Sequence, residues 1–264
     1  KTLVPKILEL PDNVVGSIPR QENREKLKTL FNEGNLSFND ANELINFVDT
    51  LPCIKFEPEK TAYRVFSISS DNSATPYLTS NGMSALYHQA ESGAPDQIWI
   101  FKPNGDGYTV MSQGRAIGKV GDYSGAAVNL TKKDYAGVIH LTNQGFYNYT
   151  FGMEDFPSYA INASTSPLKM DLSSQVASWW YLMPTNTIHV TLNAGGMAGI
   201  YTDFDMKMPD GLKACTVNSV SEKGIVKLDT IQSGIVPALT PVLLLGEKNA
   251  EYQLNVLIST NETL

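Results

Sequence analysis

The 264-residue chain is 42% hydrophobic and 18% charged, the balance of a folded protein, and it is long enough for two domains or one with a substantial appendage. Its formal charge of −7 and scattered basic residues exclude the clustered positive surface that nucleic-acid binding needs. No apolar run approaches the roughly 18 residues of a membrane span, and Val242-Leu243-Leu244-Leu245 is a buried strand at most. Beginning at Lys1, without Met or a signal-peptide pattern, the chain reads as a mature or excised fragment. Cys53 and Cys215 give no disulfide framework; two buried thiols are the plain reading, and a bridge between them stays open.

Residues 1–16 are apolar and Pro-bearing without a clear period, which suits an extended arm. Ser17-Ile18-Pro19 marks a helix start, since Pro in the first turn loses no hydrogen bond; Leu27, Leu30 and Phe31 supply an apolar face and Gly34 a stop. Ser37-Phe38-Asn39-Asp40 has capping-box spacing. It opens a second helix with Ala41, Leu44, Ile45, Val48 and Leu51 on one face, ended by Pro52. Residues 1–60 therefore read as an arm and a helical hairpin linker whose apolar face requires a partner.

Residues 63–184 repeat one pattern three times. The clusters Asp96-Gln97-Ile98-Trp99, Ala136-Gly137-Val138-Ile139 and Ala177-Ser178-Trp179-Trp180 place Trp99, Ile139 and Trp180 at intervals of 40 and 41 residues. Each unit opens on an aromatic leading an alternating strand: Tyr63-Arg64-Val65, Tyr108-Thr109-Val110 and Tyr147-Asn148-Tyr149. Two further positions keep phase, Leu78, Ile117 and Ala160, then Leu86, Val128 and Leu168. Gly, Ser, Asn and Pro clusters divide each unit into four short strands.

Three units of about forty residues, each of four strands with a closing Q-x-W-like cluster, resemble the ricin B-type β-trefoil family. Gln97-Ile98-Trp99 matches the family motif outright, whereas the other two units lack its Gln. The resemblance implies that Trp99, Ile139 and Trp180 pack around a pseudo-threefold axis. The opening Tyr63-Arg64-Val65-Phe66-Ser67-Ile68 and Pro76-Tyr77-Leu78-Thr79 also look like trefoil modules of exported surface proteins from gut anaerobes. By that resemblance, the chain is an accessory region, secreted or displayed at the cell surface, attached to an upstream domain.

Sugar-binding trefoils hold a carboxylate or amide, an aromatic or His platform, and an Asn or Asp beside the Q-x-W. Carried onto the first unit, these places fall at Asn81, at Tyr87 or His88, and at Asp96. The third unit offers Asn162, Asp171 and Ser178, and the second Lys119, Thr131 and Ala136. Each residue has a plainer reading as well. Asn81-Gly82 suits a turn, His88 a surface or satisfied core position, and Asp96 an Asx bond holding its loop. The partner implied is a glycan; no cofactor and no metal is called for.

From Thr187 a different pattern begins. Ile188, Val190 and Leu192 alternate, Asn193-Ala194-Gly195-Gly196 turns the chain, and about six short strands over 185–264 suit a small antiparallel β-sandwich. The fold expected is thus mainly β: a helical linker over 1–60, a trefoil over 61–184 and a sandwich over 185–264. A search for catalytic chemistry finds little. His88, His140 and His189 lack metal spacing, Gly121-Asp122-Tyr123-Ser124-Gly125 places its Ser one position from a nucleophile elbow, and Glu154-Asp155 are merely neighbours in sequence. The function expected is non-catalytic carbohydrate binding, with a structural or protein-interaction spacer as the alternative.

Overall fold

Alternation along Tyr63-Arg64-Val65-Phe66 sends Tyr63 and Val65 to one face and Arg64 and Phe66 to the other, the two-residue period of a strand. That strand is β1, Ala62–Ser67. The computed structural model describes residues 56–258 except 59, 68–76, 81–83, 122, 146–147 and 154–155. The predicted helices of residues 17–52, together with Cys53 and Asn81, lie outside the described residues. Two compact units are distinguished, residues 1–56 with 144–148 and residues 57–143 with 149–264. The second carries the features below.

After β1 come β2 (Tyr77–Ser80), β3 (Leu86–Gln89), β4 (Ile100–Asn104), β5 (Gly107–Ser112), β6 (Arg115–Ile117) and β7 (Leu130–Thr131). They are followed by β8 (His140–Gly145), β9 (Asn148–Gly152), β10 (Tyr159–Asn162), β11 (Lys169–Leu172) and β12 (Trp180–Thr185). β1 pairs with β12, β12 with β9, β9 with β8, and β4 with β5. The bridges Tyr63↔Trp99 and Tyr108↔Ile139 close the remaining gaps, each joining a unit's opening aromatic to its own closing residue. Six strands thus form a barrel without an open edge. Gly105, at φ 62°, takes the first place of the two-residue turn between β4 and β5, where a side chain would be strained.

The three remaining hairpins, β2–β3, β6–β7 and β10–β11, cap one end of the barrel. They meet through backbone groups: Leu168 N–H donates to the Leu86 carbonyl at 2.9 Å, Val128 N–H to Leu168 at 3.4 Å, and Leu130 N–H to Ser84 at 2.9 Å. Leu86, Val128 and Leu168 fill the centre of this triangle and are buried. A six-stranded barrel capped by three hairpins about a pseudo-threefold axis is a β-trefoil.

Trp99, Ile139 and Trp180 are fully buried. The indole Nε1–H of Trp99 donates to the Leu78 carbonyl at 2.9 Å, and that of Trp180 to Ile161 at 2.8 Å. These bonds, and the pairings Leu78↔His88 and Ile161↔Met170, show that Ile161 is the equivalent of Leu78. The phase read from sequence at Ala160 is one residue early, because the β10–β11 connection differs in length from that of the first unit.

The chain continues through β13 (Thr187–Thr191), β14 (Met197–Ile200), β15 (Asp205–Lys207), β16 (Lys213–Val220), β17 (Val226–Thr230), β18 (Ile235–Val236), β19 (Val242–Leu245) and β20 (Glu251–Leu257). These form two four-stranded sheets, ordered β13-β20-β15-β18 and β14-β19-β16-β17. Both contribute to one apolar core, through Ile188, Met206 and Leu254 from the first and Ile200, Ala214 and Leu244 from the second. Ala62, Ile98 and Ile100 of the trefoil join the same core. Cys215 is a free thiol, buried on β16 with Sγ 3.6 Å from Thr230 Oγ1. No helix among the described residues is long and apolar enough to cross a membrane.

Candidate functional site

The candidate sugar pocket is built on the connection from β3 to β4, and the side chain of Gln97 shapes it. Pro95–Gln97 forms a short 3-10 turn, and Gln97 is buried. Its Nε2 donates to the Ala90 carbonyl at 2.7 Å and to Thr79 Oγ1 at 3.2 Å, while its Oε1 accepts from Ser92 N–H at 2.9 Å. The amide therefore closes residues 90–97 into a ring and fastens it to β2. All its polar atoms are spent internally, so the Gln of the motif is a strut.

The other units confirm this role by changing both partners together. In the third, Asn162 and Ser178 stand where Thr79 and Gln97 do, and Asn162 Nδ2 donates to Ser178 Oγ at 2.8 Å. Asn162 Oδ1 also accepts from Ser164 N–H at 2.8 Å, and its Nδ2 donates to Gln175 Oε1 at 3.1 Å. In the second unit the pair is Gly118 and Gly137, with Gly137 N–H bonded to the Ile117 carbonyl at 2.9 Å and no room for a side chain between them. Asn162 and Ser178, read from sequence as two parts of a third pocket, are buried and joined to each other, which removes that pocket. The third member, Asp171, accepts from Ser124 Oγ at 3.1 Å and from Leu172 N–H at 2.8 Å.

Tyr87 and His88 are neighbours on β3 and face opposite sides of it. The register pairs Tyr87 with Thr79, on the face where Gln97 lies, and His88 with Leu78, on the face of the buried core. His88 is the equivalent of the buried Leu130 and Met170; Tyr87 stands where Asn129 and Lys169 do. Of the two, Tyr87 is thus turned toward the candidate pocket, and it is half-buried.

Asp96 precedes the strut, where the other units carry Ala136 and Ala177. Its Oδ1 is buried and has no hydrogen-bond partner among the described residues. Burial pushes its carboxyl above the usual value of 3.8, opposed only by its own backbone N–H. Behind the loop, Arg64 Nη1 donates to Glu91 Oε1 at 2.5 Å. Tyr77 bonds the same carboxylate, and its phenol is pushed well above the usual range by burial and by the Glu91 charge. The loop also rests on the C-terminal sheets, since His189 N–H donates to the Gly93 carbonyl at 2.9 Å.

A cleft of about 640 Å³ opens elsewhere, between the β4–β5 hairpin and the C-terminal sheets, lined among others by Lys60, Lys102, Asn104, Lys133 and Asp203. Tyr87, His88 and Asp96 are absent from its lining. Phe101 and Phe204, which do line it, are buried, and the Asp203 carboxylate already accepts from Gly114 N–H at 3.0 Å. It offers no ring face for a sugar, so its size alone does not make it the better candidate. No group of three or more His, Cys, Asp or Glu among the described residues is arranged to hold a metal ion.

No protein-family model matches the chain, and no curated protein matches it in sequence. Among solved structures, it is similar to the designed three-fold symmetric protein ThreeFoil, at 17% identity and a TM-score of 0.39 over 46% of this chain and 97% of that one. It is also similar to a ricin B-like lectin of Macrolepiota procera in complex with lactose, at 13% identity and 0.40 over 48% and 96%. A third is an exo-β-1,3-galactanase from Clostridium thermocellum, at 14% identity and 0.40 over 50% and 32%. At such scores these likenesses add nothing to the trefoil assignment, which rests on the barrel and hairpins of this chain.

Proposed function

We propose that this chain is a non-catalytic, lectin-like accessory region that binds carbohydrate through the first trefoil unit. The observation that carries the reading is Asp96. It is the one ionisable group at three equivalent positions, its Oδ1 has no hydrogen-bond partner among the described residues, and it lies on the connection that follows β3 and its half-buried Tyr87. A carboxylate can accept from two sugar hydroxyls while a tyrosine ring covers the apolar face of the same ring. Asn81 completes the proposed site, with Tyr87 rather than His88 supplying the ring, since His88 lies on the core side of β3. The wider reading makes residues 1–60 a helical linker to an upstream domain and 185–264 a sandwich module, in a protein that is secreted or displayed at the cell surface.

A spacer reading is favoured by a different observation, the inward turn of Asn162 and Ser178, which leaves the third unit without a pocket. Titration of the chain with a panel of oligosaccharides, followed by amide shifts, separates the two. A single shallow site should bind with a dissociation constant on the order of 1 mM. Shifts clustered at Tyr87 and Asp96, and lost in Asp96→Ala with the fold intact, support binding. No shift with any sugar at about 10 mM leaves the spacer reading.

A further inference from the structure

We propose that the chain self-associates as a two-fold dimer through the edge strand β17, centred on Leu228. Among the described residues β17 pairs only with β16, so its other edge carries unpaired backbone groups. The hairpin it belongs to is unusually apolar for a surface. Val217, Val220, Ile225 and Val226 are 58%, 62%, 62% and 48% exposed. Ala214 faces the core, so Cys215, Val217 and Val220 on β16 and Val226 and Leu228 on β17 lie on the outward face of the sheet. Leu243 and Leu245 of β19 extend that face inward from the edge.

The backbone settles which groups are available. Ile231 N–H donates to the Ala214 carbonyl, and Ser221 N–H to the Ile225 carbonyl. By the alternation of an antiparallel ladder, Lys227 and Asp229 direct their N–H and C=O groups toward β16, and Val226, Leu228 and Thr230 direct theirs away. Among the described residues only the Thr230 carbonyl has another contact, a long 3.4 Å bond from Gln232 Nε2 at the exposed surface.

An edge-bound lysine such as Lys227 ordinarily discourages strand addition. A second copy of Val226-Lys227-Leu228-Asp229-Thr230 is the partner that answers it. With Leu228 opposite Leu228 of a second copy, Val226 and Thr230 exchange bonds and every Lys227 faces an Asp229. Sliding the partner to centre on Lys227 or on Asp229 keeps the bonds in phase but sets lysine against lysine or aspartate against aspartate. Opposite charges across a pair stabilise it and like charges oppose it, so one register is selected. A two-fold interface is self-complementary by necessity, and this five-residue strand is. The dimer would merge two four-stranded sheets into one of eight and join the two outward apolar faces.

The test is sedimentation velocity on the full chain over a concentration series, with Lys227→Asp, Asp229→Lys and the double charge exchange. Each single variant should weaken the dimer by roughly tenfold or more, because the two-fold axis counts every substitution twice. The double variant should restore it. Asp229→Lys also removes the bond from exposed Asn218 Nδ2 to Asp229 Oδ2, so circular dichroism of each variant checks the fold. In the dimer, amide exchange should slow at Val226, Leu228 and Thr230 and stay unchanged at Ile225. A monomer at every concentration up to about 1 mM, a dimer indifferent to the single variants, or a dimer without that protection overturns the proposal.

Discussion

Replacing Gln97 by Ala tests whether its side chain is a strut. The substitution removes three hydrogen bonds, to Ala90, Thr79 and Ser92. At about 0.5–1.5 kcal/mol each, their sum is about 1.5–4.5 kcal/mol. Ala90 and Ser92 are exposed and can turn to water, and Thr79 Oγ1 keeps its bond to the Tyr77 carbonyl at 3.0 Å. The loss therefore falls in the lower half of that range, at about 2 kcal/mol, including the small void left by the amide. Urea denaturation should show a lower midpoint with an unchanged slope, since the surface exposed on unfolding is nearly the same. Gln97→Glu should cost more, because it sets a carboxylate against the Ala90 carbonyl and abolishes both Nε2 donors. A loss below about 0.5 kcal/mol for Gln97→Ala, the range of a plain surface substitution, would refute the strut.

The barrel was legible because its closing residues are large and apolar and recur at nearly constant spacing. Trp99, Ile139 and Trp180 mark the repeat whatever lies between them. The third unit's inner phase was not, since Ala160 and Ile161 are both buried and apolar, and it takes the indole bond to Ile161 and the Ile161↔Met170 pairing to distinguish them. The site was harder still. Asn162 and Ser178 have the chemistry of sugar ligands in sequence, and only the three-dimensional pairing shows them bonded to each other. A signal was present in the repeat itself. The pairs Thr79/Gln97, Asn162/Ser178 and Gly118/Gly137 change size and polarity together, as contacting residues do. Tyr87 and His88 were equivalent candidates until the register of β2 and β3 assigned them to opposite faces.

Two further substitutions follow from the same geometry. Gly137→Ala would set a Cβ 2.7 Å from the Gly118 carbonyl, a backbone atom that cannot swing aside. It should cost about 1–3 kcal/mol by overpacking. Gly199→Ala on β14 meets nothing within 4 Å and should stay within about 0.5 kcal/mol. Equal urea midpoints for the two would contradict the tight Gly118–Gly137 contact. Asp96→Asn probes the carboxyl itself. Burial holds the folded carboxyl above 3.8, so between the unfolded and folded values the native chain binds more protons than the unfolded one. Stability from this group is therefore full below the unfolded value and is lost as pH rises through the folded one. Asparagine has no such titration, so the variant should gain on the parent as pH rises through that window and hold a constant advantage above it. Urea midpoints for both proteins from about pH 3 to about pH 8 measure the difference, in which the other carboxylates cancel. A difference that is flat with pH, or larger in acid, would show that burial does not govern Asp96. Under the carbohydrate reading, sugar affinity should run the opposite way, since only the ionised carboxylate accepts from two hydroxyls. Opposed slopes for stability and binding, both removed by Asp96→Asn, would mark a residue kept for its ligand at the expense of the fold.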